Sequence, residues 1–361
     1  MSRKKALLLG TVILTATGFL TRIIGFFYRI FLSRTIGAKE IGLFQLLSPV
    51  NALCAALCIG GVSTMMSRTI AAKTATKSKK DGFDILYLGT GFCLILSICA
   101  ALGLHHFSDF LAIRILGEKD LSPMVDILAY SIPLSTIHTC AMSYYFAQKK
   151  TGIPSIGQLL EQLVRVLSSY LVYQLMRNQG IQPDAQVAVI GLLAGEAAAC
   201  LFTLIAVAWE SSKHNYHFKI HAIPFSSASE LYRLSLPLTA NRICITLLHS
   251  VEAVLIPSRL QMCGLTNDAA LSIYGVMTGM ALPMILFPSA ITNSVAVMLL
   301  PSVAEEQASG NLANVRRTIE ATIKYCLILG IFASGVFCVY GHTIGTLLFD
   351  NEDAGTFLQI L

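Results

Sequence analysis

Apolar residues in this chain come in blocks of about 20, broken by short polar loops, from one end to the other. A helix needs about 20 such residues to cross the hydrocarbon core of a bilayer. The pattern therefore predicts spans at about 6–32, 41–67, 83–105, 124–147, 156–177, 187–208, 231–256, 273–299 and 319–342. After the ninth, the chain reads LLFDNEDAGTFLQIL, in which a tenth span starts at about 354 and is too short to cross. On this reading the chain is expected to be a fragment or an early-terminated copy.

Composition supports the same class. Charged residues make up 13% of the chain and hydrophobic residues 55%, with a mean hydropathy of +0.68. Soluble domains carry about 25% charged residues, so a soluble fold is excluded. The net charge of +6 matters through its placement. No basic run is interleaved with aromatics, so nucleic acid is not a partner. After Arg3, Lys4 and Lys5 the first apolar stretch is too long for a signal-peptide core and lacks a small-residue cleavage site, so it is expected to stay as an anchor.

Lysine and arginine also predict orientation, because cytoplasmic loops retain them. One set of loops holds Arg3, Lys4, Lys5, Arg68, Lys73, Lys77, Lys79, Lys80, Lys149, Lys150, Lys213, Lys219, Arg316 and Arg317. The opposite set holds Arg34, Lys39, Arg114, Lys119 and Arg259. The amino terminus is thus expected inside, in the cytoplasmic membrane. A reporter fused after Lys79 is expected to read cytoplasmic, and one fused near Gly117 external. An external signal from the first fusion would overturn the span assignment.

Nine of the ten cysteines fall within predicted spans and only Cys263 in a loop, which suits small apolar packing residues. Neither disulfides nor zinc spacing is indicated. An enzyme fits poorly. His138 and His249 stand apart within spans, His105 and His106 lie at a membrane edge, and no H-E-x-x-H, nucleophile elbow or phosphate-binding glycine loop occurs. No catalytic residue, metal or cofactor is assigned.

Two stretches echo one another. GFLTRIIGFFYRIFLSR and PLTANRICITLLHSVEAVLIPSRL each place Thr, then Arg, then an apolar run closing on Ser-Arg. A span containing glycine and proline follows each. Six spans separate the copies, so both cross in the same direction, as parallel transporter repeats do. Chance likeness between apolar helices is the alternative. Pro49, Pro133, Pro237, Pro283 and Pro288, with Gly60, Gly61, Gly275 and Gly279, mark expected kinks or hinges within spans.

Seven ionisable residues fall inside spans: Arg22, Arg29, Glu161, Arg165, Glu196, Arg242 and Glu252. Such groups face a bundle interior or a watery cavity and mark function by default. Glu161 and Arg165 are one turn apart and can pair. Glu196, among small residues, could serve a proton or cation or pair with an arginine of another helix. Arg22 and Arg29 lie two turns apart on one stripe with no acid within a turn, and Arg242 holds the corresponding place in the second copy. Unbalanced arginines suit an anion, and their forked geometry suits phosphate. Pairing with Glu161, Glu196 or Glu252 as structural glue is the competing reading.

TRIIGFFYRIFLSRTIGAKEIGLFQLLSPV, GGVSTMMSRTIAA, IGQLLEQLVRV, LPLTANR, EAVLIPSRL and MTGMALPMILFPSAITNSVAVMLLPSVAEE occur in this order. Together they resemble the polysaccharide-exporter branch of the multidrug/oligosaccharidyl-lipid/polysaccharide flippase superfamily, nearer to its sporulation members than to its lipid II flippases. The resemblance implies an all-α polytopic membrane protein of two pseudo-symmetric lobes around a central cavity. Residues 1–220 would form the first six-helix lobe and 221–361 part of the second. It implies a monomeric transporter that flips an undecaprenyl-pyrophosphate-linked glycan by alternating access, in contact with membrane lipids, for spore cortex or envelope synthesis. Arg22, Arg29 and Arg242 match the positions of the family's cationic cavity. The second helix departs from the lipid II flippases: SPVNALCAALCIGG carries no arginine, which counts against lipid II itself as cargo. A cation-coupled multidrug antiporter and a non-transporting scaffold are the other readings.

Overall fold

The computed structural model describes residues 3–76, 80–213, 225–289, 291–293, 299, 303 and 312–361. Among them every regular element is helical. The long helices are α1 (Arg3–Thr35), α2 (Gly37–Cys58), α3 (Gly60–Thr76), α4 (Lys80–His106), α5 (Ser122–Ala147), α6 (Gly152–Asn178), α7 (Gln186–Lys213) and α8 (Phe225–Met262). α9 (Asn267–Gly275), α10 (Leu312–Phe349) and α11 (Glu352–Ile360) follow. Lys79, the proposed fusion point, lies outside the described residues, as does most of the stretch after Thr292 that the eighth predicted span includes.

Seven helices among the described residues are long and apolar enough to cross a membrane. α5 and α6 have the length, at 26 and 27 residues. Large apolar side chains stand exposed along these helices, among them Phe27, Ile95, Leu102, Leu248, Ile331 and Phe332, each more than 60% exposed. Soluble proteins avoid continuous apolar surface on this scale. In lipid it is the stable arrangement, because a helix satisfies its own backbone bonds. The chain is a multi-pass, all-helical membrane protein.

The single span read at 41–67 is two helices. α2 ends at Cys58 and α3 starts at Gly60, and Ile59 between them keeps helical bonds on both sides, its N–H donating to the Ala55 carbonyl (2.9 Å) and its carbonyl accepting from the Ser63 N–H (3.1 Å). Periodicity cannot show this junction, since hydropathy runs straight through it. α9 is also interrupted: it passes through a wide π-helical turn at Val276–Ala281 into Leu282–Ile285. The chain then turns at Leu286–Pro288, where the proline nitrogen cannot continue the helical ladder. Pro49, Pro133 and Pro237 lie inside α2, α5 and α8 without ending them.

Packing divides the chain into two compact units, residues 1–42 with 271–361, and residues 43–270. This differs from a break at residue 220. In the first unit α1 packs against the wide turn of α9 and against α10; in the second, α8 packs against α3. The first helix of each sequence repeat is therefore housed with helices from the other half. Glycines allow close helix approach in both units. A Cβ on Gly61 would sit 2.2 Å from the Ser235 carbonyl oxygen, and the Gly61 N–H donates to Thr239 Oγ1 at 2.9 Å. In the other unit, a Cβ on Gly275 would sit 2.2 Å from the Ala38 carbonyl oxygen.

The second unit holds the densest core. Met66, Phe83, Cys93, Cys140 and Tyr144 are fully enclosed, and the Phe83 and Tyr144 rings lie 5.0 Å apart. All ten cysteines are free thiols; Cys54, Cys58, Cys93, Cys140 and Cys200 are buried and Cys263 is exposed. In the first unit Arg34 donates to the carbonyls of Leu347 (2.5 Å) and Leu348 (3.0 Å), and Ser33 donates to that of Phe349 (2.8 Å). The last carbonyls of any helix lack partners within it, and α1 supplies donors to those of α10. The chain resumes as a helix at α11, where Asn351 accepts from the Ala354 N–H at 2.9 Å and Glu352 and Asp353 stand in the first turn. Acidic groups favour a helix start.

Candidate functional site: an arginine cleft

Arg22 and Arg29 are seven residues apart on α1, about 10.5 Å along its axis. That spacing returns them to one face, and the structure shows both lining a single cleft of about 260 Å³ in the first unit. Its other walls come from Phe26 on α1 and from Pro283, Phe287 and Ser289 beyond the wide turn. Phe287 sits between Phe26 and Phe19, with ring centroids 5.7 and 6.4 Å away. None of the cleft's lining residues is acidic.

The two arginines differ in constraint. Arg22 is exposed, whereas Arg29 is partly enclosed and donates from Nη1 to the Gly279 carbonyl at 3.2 Å. Gly279 lies in the π-helical turn, where the bonding frame widens by one residue. Turns of this kind recur at functional sites. The bond holds the Arg29 guanidinium in place, and its remaining N–H groups stay available. An aromatic floor lowers the local polarity, so a charge-assisted bond formed here is stronger than one in water.

Arg242 belongs to the second unit. It lies exposed on α8 and donates from Nη2 to Thr64 Oγ1 on α3 at 3.2 Å. The carboxylates proposed as its glue have other neighbours. Glu161 pairs with Arg165 one turn along α6. Glu252 lies 3.5 Å from His249 Nδ1, which thus does not stand alone in its span. Glu196 on α7 lies within electrostatic reach of Glu161 and Arg165. Gly195 lets α7 approach so closely that a Cβ there would stand 2.8 Å from the Glu161 carbonyl oxygen. His138 is buried beside this group, its Nδ1 without a partner among the described residues. Among the described residues no three His, Cys, Asp or Glu side chains gather as a metal site.

Sequence reasoning missed the cleft's non-ionic half. Phe26 and Phe287 look like ordinary apolar span residues, and only the Pro283/Pro288 pair signals that the chain turns beside α1. Arg34, read as a loop charge, is a partner for the end of α10.

Residues 7–297 match the profile of the family described as polysaccharide biosynthesis protein. The chain belongs to the polysaccharide biosynthesis protein family. One relative is stage V sporulation protein B of Bacillus subtilis (strain 168), 25% identical over 99% of this chain and 70% of that protein. Another is the lipid II flippase MurJ of the same organism, 20% identical over 96% of this chain and 66% of its own length. Among solved structures, the crystal structure of MATE in the straight conformation superimposes with a TM-score of 0.64 at 12% identity, covering 100% of this chain and 79% of that one. The inward-facing conformation of a multidrug resistance MATE family transporter of the MOP superfamily gives 0.64 and 12%, covering 96% and 78%. At such identities the likeness is one of fold: a family of polysaccharide biosynthesis proteins on a MATE-like helical frame.

Proposed function

We propose that the protein is a membrane transporter that flips a lipid-linked glycan, with the cargo's pyrophosphate received by Arg22 and Arg29. One observation carries this reading: two arginines two turns apart line one cleft that holds no acid and has an aromatic floor. A dianion leaving water needs its lost hydration replaced, and fixed guanidinium groups replace it. The relatives supply the cargo class, since one is named a lipid II flippase and the family is named for polysaccharide biosynthesis. The lipid anchor is undecaprenyl and the membrane is the cytoplasmic one. The protein works as a monomer with its amino terminus inside, by alternating access, in spore cortex or envelope synthesis.

A second reading has its own observation. Glu161, Arg165 and Glu196 form a charged group inside the second unit, which suits a coupling cation and hence drug antiport. Proteoliposome assays separate the two. Translocation of a fluorescent undecaprenyl-pyrophosphate glycan, with no movement of the same glycan on an uncharged lipid, is expected. Cation-driven ethidium transport that is lost with Glu196→Gln, and no glycan movement, would favour the antiporter.

A further inference from the structure

We propose that the pocket between α3 and α5, with Arg68 and Lys149 among its lining residues, is a second binding site that takes a phosphorylated polyol. This inference does not rest on the reading of the Arg22–Arg29 cleft, which belongs to the other packing unit. The pocket measures about 610 Å³, and Ser63, Thr64 and Arg68 line it from α3, Thr139 and Ser143 from α5, and Lys149 from the turn that follows. Such a volume is typical of small-molecule sites. Met142, Phe146 and two alanines make most of its wall apolar, and against them a row of hydroxyls stands beside two cations with no carboxylate.

The hydroxyls are committed in ways that specify a ligand. Ser63 donates its proton to the Gly60 carbonyl (3.3 Å) and Ser143 to that of Thr139 (2.9 Å). Each oxygen is left as an acceptor, so the ligand must bring O–H or N–H groups. Thr64 is the complement: its oxygen already accepts from Arg242, so its proton is left to donate. Arg68 and Lys149 are exposed and make no ion pair among the described residues. They add donors suited to a phosphate. Hydroxyls next to a phosphate answer all of these demands at once. A glycosyl phosphate and a phosphoglycerol lipid headgroup share that chemistry.

The turn bearing Lys149 is built to hold its position. Lys149 adopts φ 60°, a left-handed conformation that a residue with a Cβ rarely takes. Its N–H donates to the Phe146 carbonyl at 3.0 Å, and the next residue, Lys150, is ion-paired to buried Glu210 on α7. The Lys150 N–H returns to the Tyr145 carbonyl at 3.0 Å, closing the helix in a common left-handed ending that sets the Lys149 backbone beside the pocket.

The test uses the purified protein in detergent, titrated with N-acetylglucosamine 1-phosphate and with inorganic phosphate. In parallel, native mass spectrometry compares retention of phosphatidylglycerol with that of phosphatidylcholine. Saturable binding is expected for the sugar phosphate or for phosphatidylglycerol, and the arm that responds identifies the source. Arg68→Gln with Lys149→Gln is expected to weaken it about a hundredfold, roughly tenfold for each charge-assisted bond. Thr139→Val with Ser143→Ala should erase the preference for the sugar phosphate over inorganic phosphate. The titrations are repeated in Arg22→Ala, and only the component of binding that persists there is assigned to this pocket, so loss of the cleft and loss of this site are told apart. Both Arg68 and Lys149 are exposed, and a wild-type melting profile for the double variant would confirm that its fold is kept. Absence of binding in the wild-type protein, equal binding by the folded Arg68/Lys149 variant, or equal affinity for inorganic phosphate would overturn the proposal.

Discussion

Arg22→Ala is expected to abolish flipping of a pyrophosphate-linked glycan while the protein still inserts at normal levels. Arg22 is exposed in the cleft, so its removal costs the fold little. What is lost is a charge-assisted contact to the cargo, about 1.5–3 kcal/mol for each bond, and a forked guanidinium can make two. Arg22→Lys should recover only a small part, since it keeps the charge and loses the fork. Arg29→Ala should do further damage of a different kind, because Arg29 also ties α1 to the wide turn through Gly279. Initial flipping rates in proteoliposomes, normalised to reconstituted protein, decide the matter. Near-wild-type rates for folded Arg22→Ala would remove the cleft from the mechanism. Arg242→Ala is also expected to impair transport, and adding Glu252→Ala should not restore it. Ten residues put those two side chains about 15 Å apart on α8, and Glu252 lies beside His249.

The other large effect expected is on the fold. Gly61→Val should leave the second unit unable to close. Its Cβ would meet the Ser235 carbonyl oxygen at 2.2 Å and the Leu238 Cβ at 2.8 Å, and a backbone oxygen cannot swing aside. Either α8 moves outward or α3 does, and the Gly61–Thr239 bond goes with it. Overpacking typically costs 1–3 kcal/mol; a clash with main chain belongs at or above about 3 kcal/mol. Gly91→Ala and Gly103→Ala are matched controls, since a Cβ at either meets nothing within 4 Å. There, alanine should be neutral or stabilising by up to about 1 kcal/mol. Thermal exposure of the buried thiols Cys58, Cys93 and Cys140 to a maleimide dye reads both outcomes.

The spans were legible because the bilayer imposes a length and a composition, and the apolar blocks lie in helices among the described residues. The junction at Ile59 was not, because it leaves hydropathy unchanged. The arginine stripe on α1 could be read from a spacing of seven. Its partner wall could not, since Phe287 and Gly279 lie some 250 residues onward and nothing in local pattern ties them to Arg29. The packing of α8 against α3 involves the close approach of Gly61 to Ser235, which a hydropathy pattern does not record. Arg68 and Lys149 were weighed only as markers of orientation; the hydroxyls that give them a chemical setting are spread over two helices.

The housing of α1 sets a schedule for making the protein. Ser33 reaches its acceptor on Phe349 across 316 residues. At roughly 5–20 residues per second, synthesis of that interval takes roughly 15–60 s. For nearly that time Arg34 waits in the bilayer without the carbonyls of Leu347 and Leu348 that receive it, while Gly279, the acceptor for Arg29, comes earlier. Residues 43–270, by contrast, hold all of their own unit and can close as soon as α8 emerges. That unit can thus form before the residues on which α1 depends have been made.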